Sequence, residues 1–390
     1  MKVCMVSYSF YESDNRVKRY AETLARQGYQ VDAVCLRKED FPRHGSLNGV
    51  SVFRIQKRER NERGRFSHLS RLLKFLVKSA LFISKQHMRQ PYDLIHVHSV
   101  PDFEVFATLF AKMRGARIIL DIHDIIPEFY ASKFKVSKES VVFKALALIE
   151  KASIAFSDHV IISNHLWEKT LTSRSTKKDK CSTMLNYPDP SIFFTRPRSR
   201  KDDRFIALYP GSINWHQGLD IAVRAFAYIK DDVQEADFHI YGEGPEKVGI
   251  QRLIAELGLH GRVFLKESLP SEQIADVMAN ADLGLVPKRN DSFGGDAFST
   301  KILEFMALGV PVVASATRID RYYFNDSIIR FFEPENVKDL AMTIKELVRS
   351  RELRERLAAN AKHFITDYTW DKKETDYLSL VNNLVGKKVD

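Results

Sequence analysis

Short apolar runs alternate along the chain with segments in which apolar residues recur every three or four positions. The short runs predict buried strands, and the recurring positions predict amphipathic helices. The first pair is KVCMVS and the segment after it, where the apolar residues from Val17 to Leu24 share one helical face. Asp14 or Asn15 is suited to cap this helix, and Gly28 to end it. A strand, a capped helix and a second strand form the repeating unit of α/β proteins.

The same alternation continues to residue 186 and begins again after an irregular stretch. Strands are predicted at YQVDAVCL, YDLIHVHS, ARIILDI, DHVIIS and CSTMLN, and then at RFIALYPG, DFHIYG, RVFLKE, ADLGLVP, VPVVAS and IIRFFE. Between the two series, residues 187–203 contain three prolines and several charges, which are typical of a linker. We therefore predict an α/β protein with two Rossmann-like, doubly wound parallel-sheet domains facing across a cleft, over residues 1–190 and 191–370.

Length and composition agree with two domains of ordinary size. A chain of 390 residues exceeds one ordinary core, and its 44% hydrophobic and 28% charged residues are normal for a globular protein. The start MKVCMVSYSF predicts a strand rather than a signal peptide, and no apolar run is long enough to span a membrane. Cys4, Cys35 and Cys181 lie far apart in apolar runs, so we expect buried thiols and a reducing compartment.

The net charge of +10 is concentrated in one segment. Between Arg54 and Arg89 there are eleven Lys or Arg residues and two acids, Glu59 and Glu62. Such a segment suggests a polyanionic partner, which is a membrane surface, a nucleic acid or a charged substrate. Aromatic residues do not interleave with the basic residues from Arg54 to Arg65, and no nucleic-acid recognition module occurs. We therefore expect no nucleic-acid binding.

The second half of this segment, SHLSRLLKFLVKSALFISKQ, predicts an amphipathic helix. Its apolar face is formed by Leu69, Leu72, Leu73, Leu76 and Ala80, whereas Arg71, Lys74 and Lys78 lie elsewhere. The helix either covers the first sheet with its charges in water or rests on anionic lipid. We favour the second interpretation, in which the basic segment 54–89 binds an anionic membrane surface.

A candidate ligand site opens the helix in DAFSTKILEFMALGVPVVAS. With Ser299 as the N-cap, the backbone N–H groups of Thr300 and Lys301 point out of the helix start, where the dipole favours an anion. A phosphate or diphosphate needs several donors and positive charge together, whereas the carboxylates of Asp296 and Glu304 suit hydroxyl groups. A ligand that carries both is a nucleotide sugar. In the alternative interpretation, Asp296 and Ser299 only cap the helix, and Glu304 pairs with a solvated Lys301.

Two glycine-containing loops follow successive strands of the second domain. YPGSINWHQGLD carries Gly211 and Gly218, and IYGEGPEK carries Gly242 and Gly244. Glycine allows a backbone to approach a ligand closely at the carboxyl end of a strand. We therefore assign Gly211, Ser212, Gly242 and Gly244 to ligand binding.

These motifs resemble those of the glycosyltransferases of family 4, retaining enzymes with the two-domain GT-B fold. The matching segments are GSINWHQGLD, IYGEGP, VFLKESLPSEQIADVMANADLGLVP and DAFSTKILEFMALGVPVVAS, with DLIHVHS and LDIHD in the first domain. The resemblance implies that Asp296 holds hydroxyls of the donor sugar and Glu304 holds the ribose. It also implies that Lys301, with the backbone at 299–300, holds the diphosphate, and that His123 faces the donor sugar across the cleft. We further expect a C-terminal helix, residues 371–390, to cross back to the first domain.

The chain departs from the family pattern at three positions. Many members have glutamate in place of Asp296, and many have an arginine and a lysine where this chain has Ser212 and Gln217. Both missing cations would neutralise the departing diphosphate. Lys288 and Arg289, in LVPKRNDSFGGD, lie close in sequence to Asp296 and are expected to compensate.

The remaining polar candidates lie in the first domain. His96 and His98 lie on one side of a strand, with His123 nearby, and histidine is a common zinc ligand. We favour the interpretation that these histidines form hydrogen bonds within the core or the cleft. The chain also lacks an Asp-x-Asp motif, so no metal or other cofactor is expected. After the first strand, Asp14 and Arg16 either cap a helix or contact the acceptor, and the sequence leaves both open.

Together these observations predict a retaining glycosyltransferase of hexosyl or N-acetylhexosaminyl type that uses a nucleotide-diphosphate sugar. UDP is the expected nucleotide, with GDP as the alternative, and the expected acceptor is a lipid-linked or cell-surface glycan. The enzyme is expected in the cytoplasm, peripheral at the inner face of the plasma membrane. The alternatives are a catalytically inactive GT-B-like binding subunit and a sugar-nucleotide epimerase, which would have no use for a membrane-facing basic helix.

Overall fold

The computed structural model describes residues 1–58 and 65–386. Contacts divide the chain into two units, Met1–Asn186 with Lys373–Asp390, and Tyr187–Lys372. Each unit is built on a β-sheet whose described strands run parallel, apart from one hairpin in the first unit. Because parallel strands are covered by helices on both faces, they are apolar along their length, which explains the continuous apolar runs of the sequence.

The first unit contains an eight-stranded sheet in the order β3-β4-β2-β1-β5-β6-β7-β8. Its strands are β1 (Lys2–Ser7), β2 (Gln30–Arg37), β3 (His44–Leu47), β4 (Val50–Lys57), β5 (Leu94–His98), β6 (Arg117–Ile122), β7 (His159–Ile162) and β8 (Cys181–Thr183). Its helices are α1 (Asn15–Arg26), α2 (Arg65–Arg89), α3 (Leu109–Met113), α4 (Ile126–Phe134), α5 (Val141–Phe156) and α6 (His165–Arg174). A 3-10 segment, Asp102–Thr108, leads into α3. Strands β1, β5 and β6 are buried along almost their whole length and form the centre of the core.

The second unit contains a six-stranded parallel sheet in the order β11-β10-β9-β12-β13-β14. Its strands are β9 (Phe205–Pro210), β10 (Ala236–Tyr241), β11 (Val263–Lys266), β12 (Leu283–Val286), β13 (Val312–Ser315) and β14 (Arg330–Phe332). The helices that follow in the chain are α7 (Leu219–Ile229), α8 (Lys247–Glu256), α9 (Ser271–Ala279), α10 (Thr300–Leu308), α11 (Arg318–Tyr323), α12 (Val337–Arg349), α13 (Arg351–Ile365) and α14 (Trp370–Val385). The strand order reverses between β9 and β12, and in open α/β sheets ligands bind beyond the carboxyl ends at such a reversal.

The predicted strands are confirmed in both series, with small shifts at their ends. The sequence interpretation missed β3 and β4, which form an antiparallel hairpin at the edge of the first sheet. Asn48 (φ 48°) and Gly49 (φ 80°) form the two-residue turn of this hairpin, between the paired residues Leu47 and Val50. Asn-Gly adopts two successive left-handed conformations more readily than other dipeptides, so this pair is itself a hairpin signal.

Helix α2 is apolar on two opposite sides. It buries Leu72, Phe75, Ser79, Ile83 and His87, and it exposes Leu69, Leu73, Val77, Leu81 and Met88, each by 47% or more. The predicted single apolar face is therefore wrong, because Leu72 lies inside whereas Leu69 and Leu73 face solvent. Residues 59–64 of the basic segment, including Glu59 and Glu62, lie outside the described residues. In the part of the chain that the structure describes, no helix is long and apolar enough to cross a bilayer.

The C-terminal helix α14 begins in the second unit, and its residues from Lys373 onward belong to the first. Tyr377 is fully buried, and its ring centre lies 4.4 Å from that of Tyr20. Its hydroxyl lies 3.0 Å from His96 Nδ1 on β5. Helix α14 therefore contributes to the core of the first unit.

Tyr377→Phe is expected to lower the free energy of unfolding by about 1–2 kcal/mol, because His96 loses a buried partner while the packed volume is kept. Urea denaturation measures the difference. Tyr228→Phe, at a tyrosine of α7 that is 52% exposed, is the matched control and should change stability by less than about 0.5 kcal/mol. Equal stabilities of wild type and Tyr377→Phe would contradict this prediction.

Candidate active site

The start of helix α10 is not capped by a side chain. Ser299 occupies the N-cap position, but its hydroxyl does not bond to the helix. Ser299 is buried, and its Oγ has no hydrogen-bond partner among the described residues. The partly exposed residues in the first turns of α10 are Thr300, Lys301 and Glu304. The first N–H groups of α10 therefore keep their capacity for an outside acceptor.

Lys301 supplies the positive charge at this helix start. A Cβ on Gly211 would lie 2.5 Å from Lys301 Cε and 3.2 Å from Nζ, so the lysine lies against the loop after β9. Nζ is 5.1 Å from the ring centre of Tyr209 and has no hydrogen bond or ion pair within the described part of the chain. Burial lowers the pKa of Lys301 to about 8, although the nearby Glu304 acts in the opposite direction. An anion bound here would offset the cost of burying this charge.

The glycine loops of the second unit pack on one another. A Cβ on Gly242 would lie 1.8 Å from the carbonyl oxygen of Gly211, and one on Gly244 would lie 2.2 Å from that of Ile213. The backbone N–H of Ile213 donates to the carbonyl of Glu243 at 2.9 Å. The packing therefore gives Gly242 and Gly244 a structural reason to be glycine, and their ligand role stays a prediction. Their missing side chains make room for the neighbouring loop, and Gly211 is the glycine that contacts Lys301.

Lys288 is a structural residue rather than a ligand-facing cation. It is buried, its Nζ lies 2.9 Å from Asp320 Oδ2, and it donates a hydrogen bond to the carbonyl of Ala297 at 2.7 Å. Asp320 also accepts a hydrogen bond from Thr317 Oγ1 at 2.7 Å. Lys288 thus fixes the segment that leads into α10, and its charge is already balanced.

Arg289 is also paired within the protein. It donates two hydrogen bonds to the carboxylate of Asp220, at 3.0 and 2.8 Å, and its guanidinium lies 3.5 Å from the ring centre of Trp215. The expectation that Lys288 and Arg289 replace the cations missing at Ser212 and Gln217 is therefore corrected. A paired, buried guanidinium is not free to bind a second anion without leaving its own carboxylate unpaired.

The two predicted carboxylates of the site differ in their surroundings. Asp296 precedes α10 by a few residues and accepts a hydrogen bond from Arg318 Nε at 2.7 Å. Its side chain is 21% exposed and that of Arg318 is 54% exposed, so a ligand hydroxyl has access to this pair. Glu304 lies one turn into α10, on the same side as Lys301. No motif or periodicity in the sequence indicated that Arg318 would pair with Asp296.

A second polar cluster lies at the carboxyl ends of β5 and β6 in the first unit. Parallel pairing places His98 opposite Asp121, and His123 follows β6 directly. Asp121 Oδ2 lies 3.2 Å from His98 Nδ1 and 3.1 Å from His123 Nε2. The side chains of His98 and Asp121 are fully buried, whereas that of His123 is 23% exposed. His123 is thus the member of this cluster that faces solvent.

Arg16 belongs to the same cluster. It donates hydrogen bonds from Nε and Nη2 to the two oxygens of Asp121, at 2.8 and 2.7 Å, and it is 5% exposed. Asp14 accepts a hydrogen bond from the backbone N–H of Val17 at 3.2 Å and so caps α1. Arg16 is therefore a buried ion-pair partner, which corrects its predicted contact with the acceptor. Asp14 caps α1, and its contact with the acceptor stays a prediction.

His96 and His98 on β5 are residue types that bind metal ions, but the carboxylate beside them, Asp121, is already paired with a cation. Ligand atoms of His96, His98 and Asp121 all lie within 4.8 Å of one another. Arg16 occupies both oxygens of Asp121, so a metal ion there would lie next to a guanidinium. Burial lowers the pKa of both histidines, which keeps them neutral. The absence of a functional metal stays a prediction.

Comparison with known proteins identifies the family. Residues 13–186 match the glycosyl transferase 4-like domain, and residues 192–364 match the glycosyl transferases group 1. The chain belongs to the family 4 glycosyltransferases of GT-B fold. A glycosyltransferase of Methanocaldococcus jannaschii is 25% identical over 96% of this chain and 97% of its own.

Solved structures confirm the GT-B fold of this glycosyltransferase. Sucrose-phosphate synthase from Thermosynechococcus elongatus superimposes with a TM-score of 0.82 over 99% of both chains, at 18% identity. Anabaena HepE in complex with UDP-glucose superimposes with a TM-score of 0.72 over 98% of this chain and all of its own, at 15% identity. The fold prediction and the family resemblance are therefore confirmed.

The pKa of Lys301 gives the glycosyltransferase a pH dependence that calorimetry can test. An anion that pairs with Lys301 raises its pKa above the value of about 8 in the free protein. The affinity for UDP should therefore change little between pH 7 and 8, where the terminal phosphate is ionised, and should fall by up to tenfold per pH unit above pH 8. Lys301→Met should bind UDP more weakly and lose this slope between pH 7 and 9, whereas Lys230→Met, at an exposed lysine directly after α7, should keep it. A flat wild-type profile would contradict the assignment.

Proposed function

We propose that this glycosyltransferase moves a sugar, with retention of configuration, from a nucleotide-diphosphate sugar to a lipid-linked or cell-surface glycan. The observation that carries the proposal is the ammonium group of Lys301 at the start of α10, beside Gly211 and the hydroxyl of Ser299. Within the described residues, neither group has a hydrogen bond or an ion pair. These groups offer positive charge with N–H and O–H donors, which is what a diphosphate requires. UDP is the proposed nucleotide, since HepE was solved with UDP-glucose, and GDP is the alternative.

The proposed chemistry follows from where charge develops. When the bond between the sugar and the diphosphate breaks, negative charge grows on the leaving group while the sugar becomes oxocarbenium-like. Lys301 and the N–H groups of α10 stabilise that leaving diphosphate, and no metal is required. Glu304 accepts hydrogen bonds from the ribose, and Asp296 from a hydroxyl of the donor sugar. His123 takes part in the transfer step rather than in nucleotide binding.

The first unit has an apolar and cationic surface that supports a membrane-bound acceptor. We name it the α2–α5 face: the exposed sides of α2, of the segment Asp102–Met113 and of α5. Besides the residues of α2 given above, it exposes Phe106, Leu109, Met113, Val141, Val142, Leu148 and Ile149, each by 37% or more. Helices α2 and α5 both pack against the segment Asp102–Met113, so these side chains lie on neighbouring elements. Apolar side chains exposed together in this way favour an interaction surface.

All exposed charges described on the α2–α5 face are positive. Exposed lysines and arginines include Lys74, Lys85, Arg89, Lys144 and Lys151. The carboxylates carried by these elements are Asp102, Glu104 and Glu150, and each is at most 2% exposed. Apolar side chains between cations suit the interface of an anionic bilayer, where each cation contributes about 1 kcal/mol.

Like charge argues against a second copy of the same face as the partner, because two cationic surfaces would repel each other. We therefore propose that the enzyme is peripheral at the inner, anionic face of the plasma membrane, where a lipid-linked acceptor is available. The basic segment 54–89 contributes through α2, and the apolar residues of α5 extend the contact.

Nucleotide binding and turnover test the catalytic proposal. Thermal shift with UDP, GDP, ADP and their common sugar conjugates should identify one nucleotide diphosphate that stabilises the wild type. Glu304→Ala should abolish the shift, whereas His123→Ala should keep it and lose at least tenfold in hydrolysis of the sugar nucleotide. Glu352→Ala, at an exposed glutamate of α13, is the control and should behave like the wild type. A nucleotide that binds without turnover in the wild type would favour the inactive-subunit alternative.

Vesicle sedimentation tests the membrane proposal. The wild type should bind vesicles containing phosphatidylglycerol, and Leu73→Glu/Val77→Glu/Leu81→Glu should bind at least tenfold more weakly, because buried apolar area is lost and negative charge is added. Val248→Glu, at a valine of α8 in the second unit that is 66% exposed, should bind like the wild type. Equal binding of all three proteins would refute the α2–α5 face as the lipid contact.

A further inference from the structure

The fully buried carboxylate of Asp121 has four donors around it and no contact with solvent. Arg16 Nε and Nη2 donate to Oδ2 and Oδ1 at 2.8 and 2.7 Å. His98 Nδ1 and His123 Nε2 lie 3.2 and 3.1 Å from Oδ2. Burial alone would raise the pKa of Asp121, but Arg16 and His123 hold it well below its usual range. Asp121 is therefore an ionised carboxylate, which accepts hydrogen bonds and donates none.

This ionisation state fixes where the protons of the two imidazoles lie. Because Asp121 only accepts, both nitrogens that face Oδ2 must carry hydrogen, namely Nδ1 of His98 and Nε2 of His123. These two nitrogens are also 3.3 Å apart, which allows no hydrogen bond between two N–H groups. In a neutral His123 the single ring proton is thus on Nε2, and Nδ1 is left with its lone pair.

The backbone of His123 is fixed, and the second ring nitrogen of His123 is left without a partner in the described structure. Its carbonyl oxygen accepts a hydrogen bond from Ser163 Oγ at 2.9 Å, which fixes the backbone after β6. Nδ1 has no hydrogen-bond partner among the described residues, and the side chain is 23% exposed. The outward nitrogen of His123 is therefore an acceptor with a defined direction.

We propose that Asp121 is a positioning residue that sets the tautomer of His123, so that His123 presents Nδ1 as a hydrogen-bond acceptor to a hydroxyl of the substrate. Arg16 keeps Asp121 in place and ionised, and His98 occupies the remaining direction around Oδ2. Asp121 itself does not touch the substrate. The proposal deepens the proposed function, because it names the atom through which His123 acts.

The tautomer can be measured without any substrate. In protein labelled with 15N-histidine, long-range 1H–15N correlation at about pH 9 distinguishes Nε2–H from Nδ1–H imidazoles, and His123→Gln assigns the signal. The wild type should show His123 as Nε2–H. In Asp121→Asn an amide N–H₂ group replaces one acceptor oxygen, so the Nδ1–H form should become the larger fraction. Asp121→Glu restores a carboxylate and should restore Nε2–H. A wild-type Nδ1–H tautomer, or the same tautomer in wild type and Asp121→Asn, would overturn the proposal.

A matched control separates this effect from the general loss of a buried carboxylate. Asp32 lies in the same sheet, is 8% exposed and accepts a hydrogen bond from the hydroxyl of Tyr92 at 2.7 Å. Asp32→Asn should leave the His123 signal unchanged. If Asp121→Asn does not fold, the spectra of wild type and Asp121→Glu decide, because both must show Nε2–H.

Kinetics form the second arm, and this arm rests on the proposed function. With UDP-glucose as the probe, Asp121→Asn should lower kcat for hydrolysis by about 10- to 100-fold with little change in KM, as is common for groups that orient a functional histidine. In a His123→Ala background, Asp121→Asn should have no further effect on kcat, since there is no imidazole left to orient. Additive losses in the double variant would overturn the positioning role. If the wild type did not hydrolyse UDP-glucose, UDP-glucose would be the wrong donor. The NMR measurement of the His123 tautomer would then still test the role of Asp121.

Discussion

Parallel strand packing is the constraint on which both candidate clusters depend. Neighbouring parallel strands end at one edge of a sheet, so side chains from distant parts of the sequence meet there. In the first unit, the pairing of β5 and β6 brings His98 and Asp121 to within 3.2 Å. In the second unit, the loops after β9 and β10 approach until a Cβ on Gly242 would collide with the backbone of Gly211. A shift of one residue in the pairing of β5 and β6 would place His98 and Asp121 on opposite faces of the sheet.

The pairing of charges divides the cations of the second unit into two groups. Lys288 and Arg289 are joined to Asp320 and Asp220, and they hold the segments around the start of α10. Lys301 differs, since burial lowers its pKa and no ion pair within the described residues balances it. A structure keeps such a charge at a cost unless a ligand offsets it. In the proposed site, Lys301 and the start of α10 are therefore the groups that bind the diphosphate.

In the first unit, carboxylates are buried in the core, whereas the exposed charges of the α2–α5 face are cationic. Its carboxylates at Asp121 and Glu150 are buried and paired with Arg16 and Arg174, while the exposed charges of the α2–α5 face are cationic. Buried ion pairs give the core its specific geometry, and removing one partner is costly. The exposed cations and apolar side chains instead suit an anionic interface. The same arrangement, a carboxylate beside an arginine, therefore lies next to His123 at Asp121 and keeps the negative charge of Glu150 away from the surface.

The sequence by itself determined the alternation of strands and helices and the GT-B family, and it singled out Ser299, Lys301 and His123 as candidate site residues, because these depend on local periodicity and motif spacing. It did not determine which charged groups are free. Arg289 and Asp220 are 69 residues apart, and Arg16 and Asp121 are 105 apart, so only the folded chain shows that they pair. The sequence did not show that α2 is apolar on two sides, for the same reason. Periodicity indicates that a helix has an apolar face, but the elements packed against the helix decide which of its residues are buried. Tertiary structure thus decided the partner of each charge and the face of each helix, because both are properties of proximity rather than of sequence.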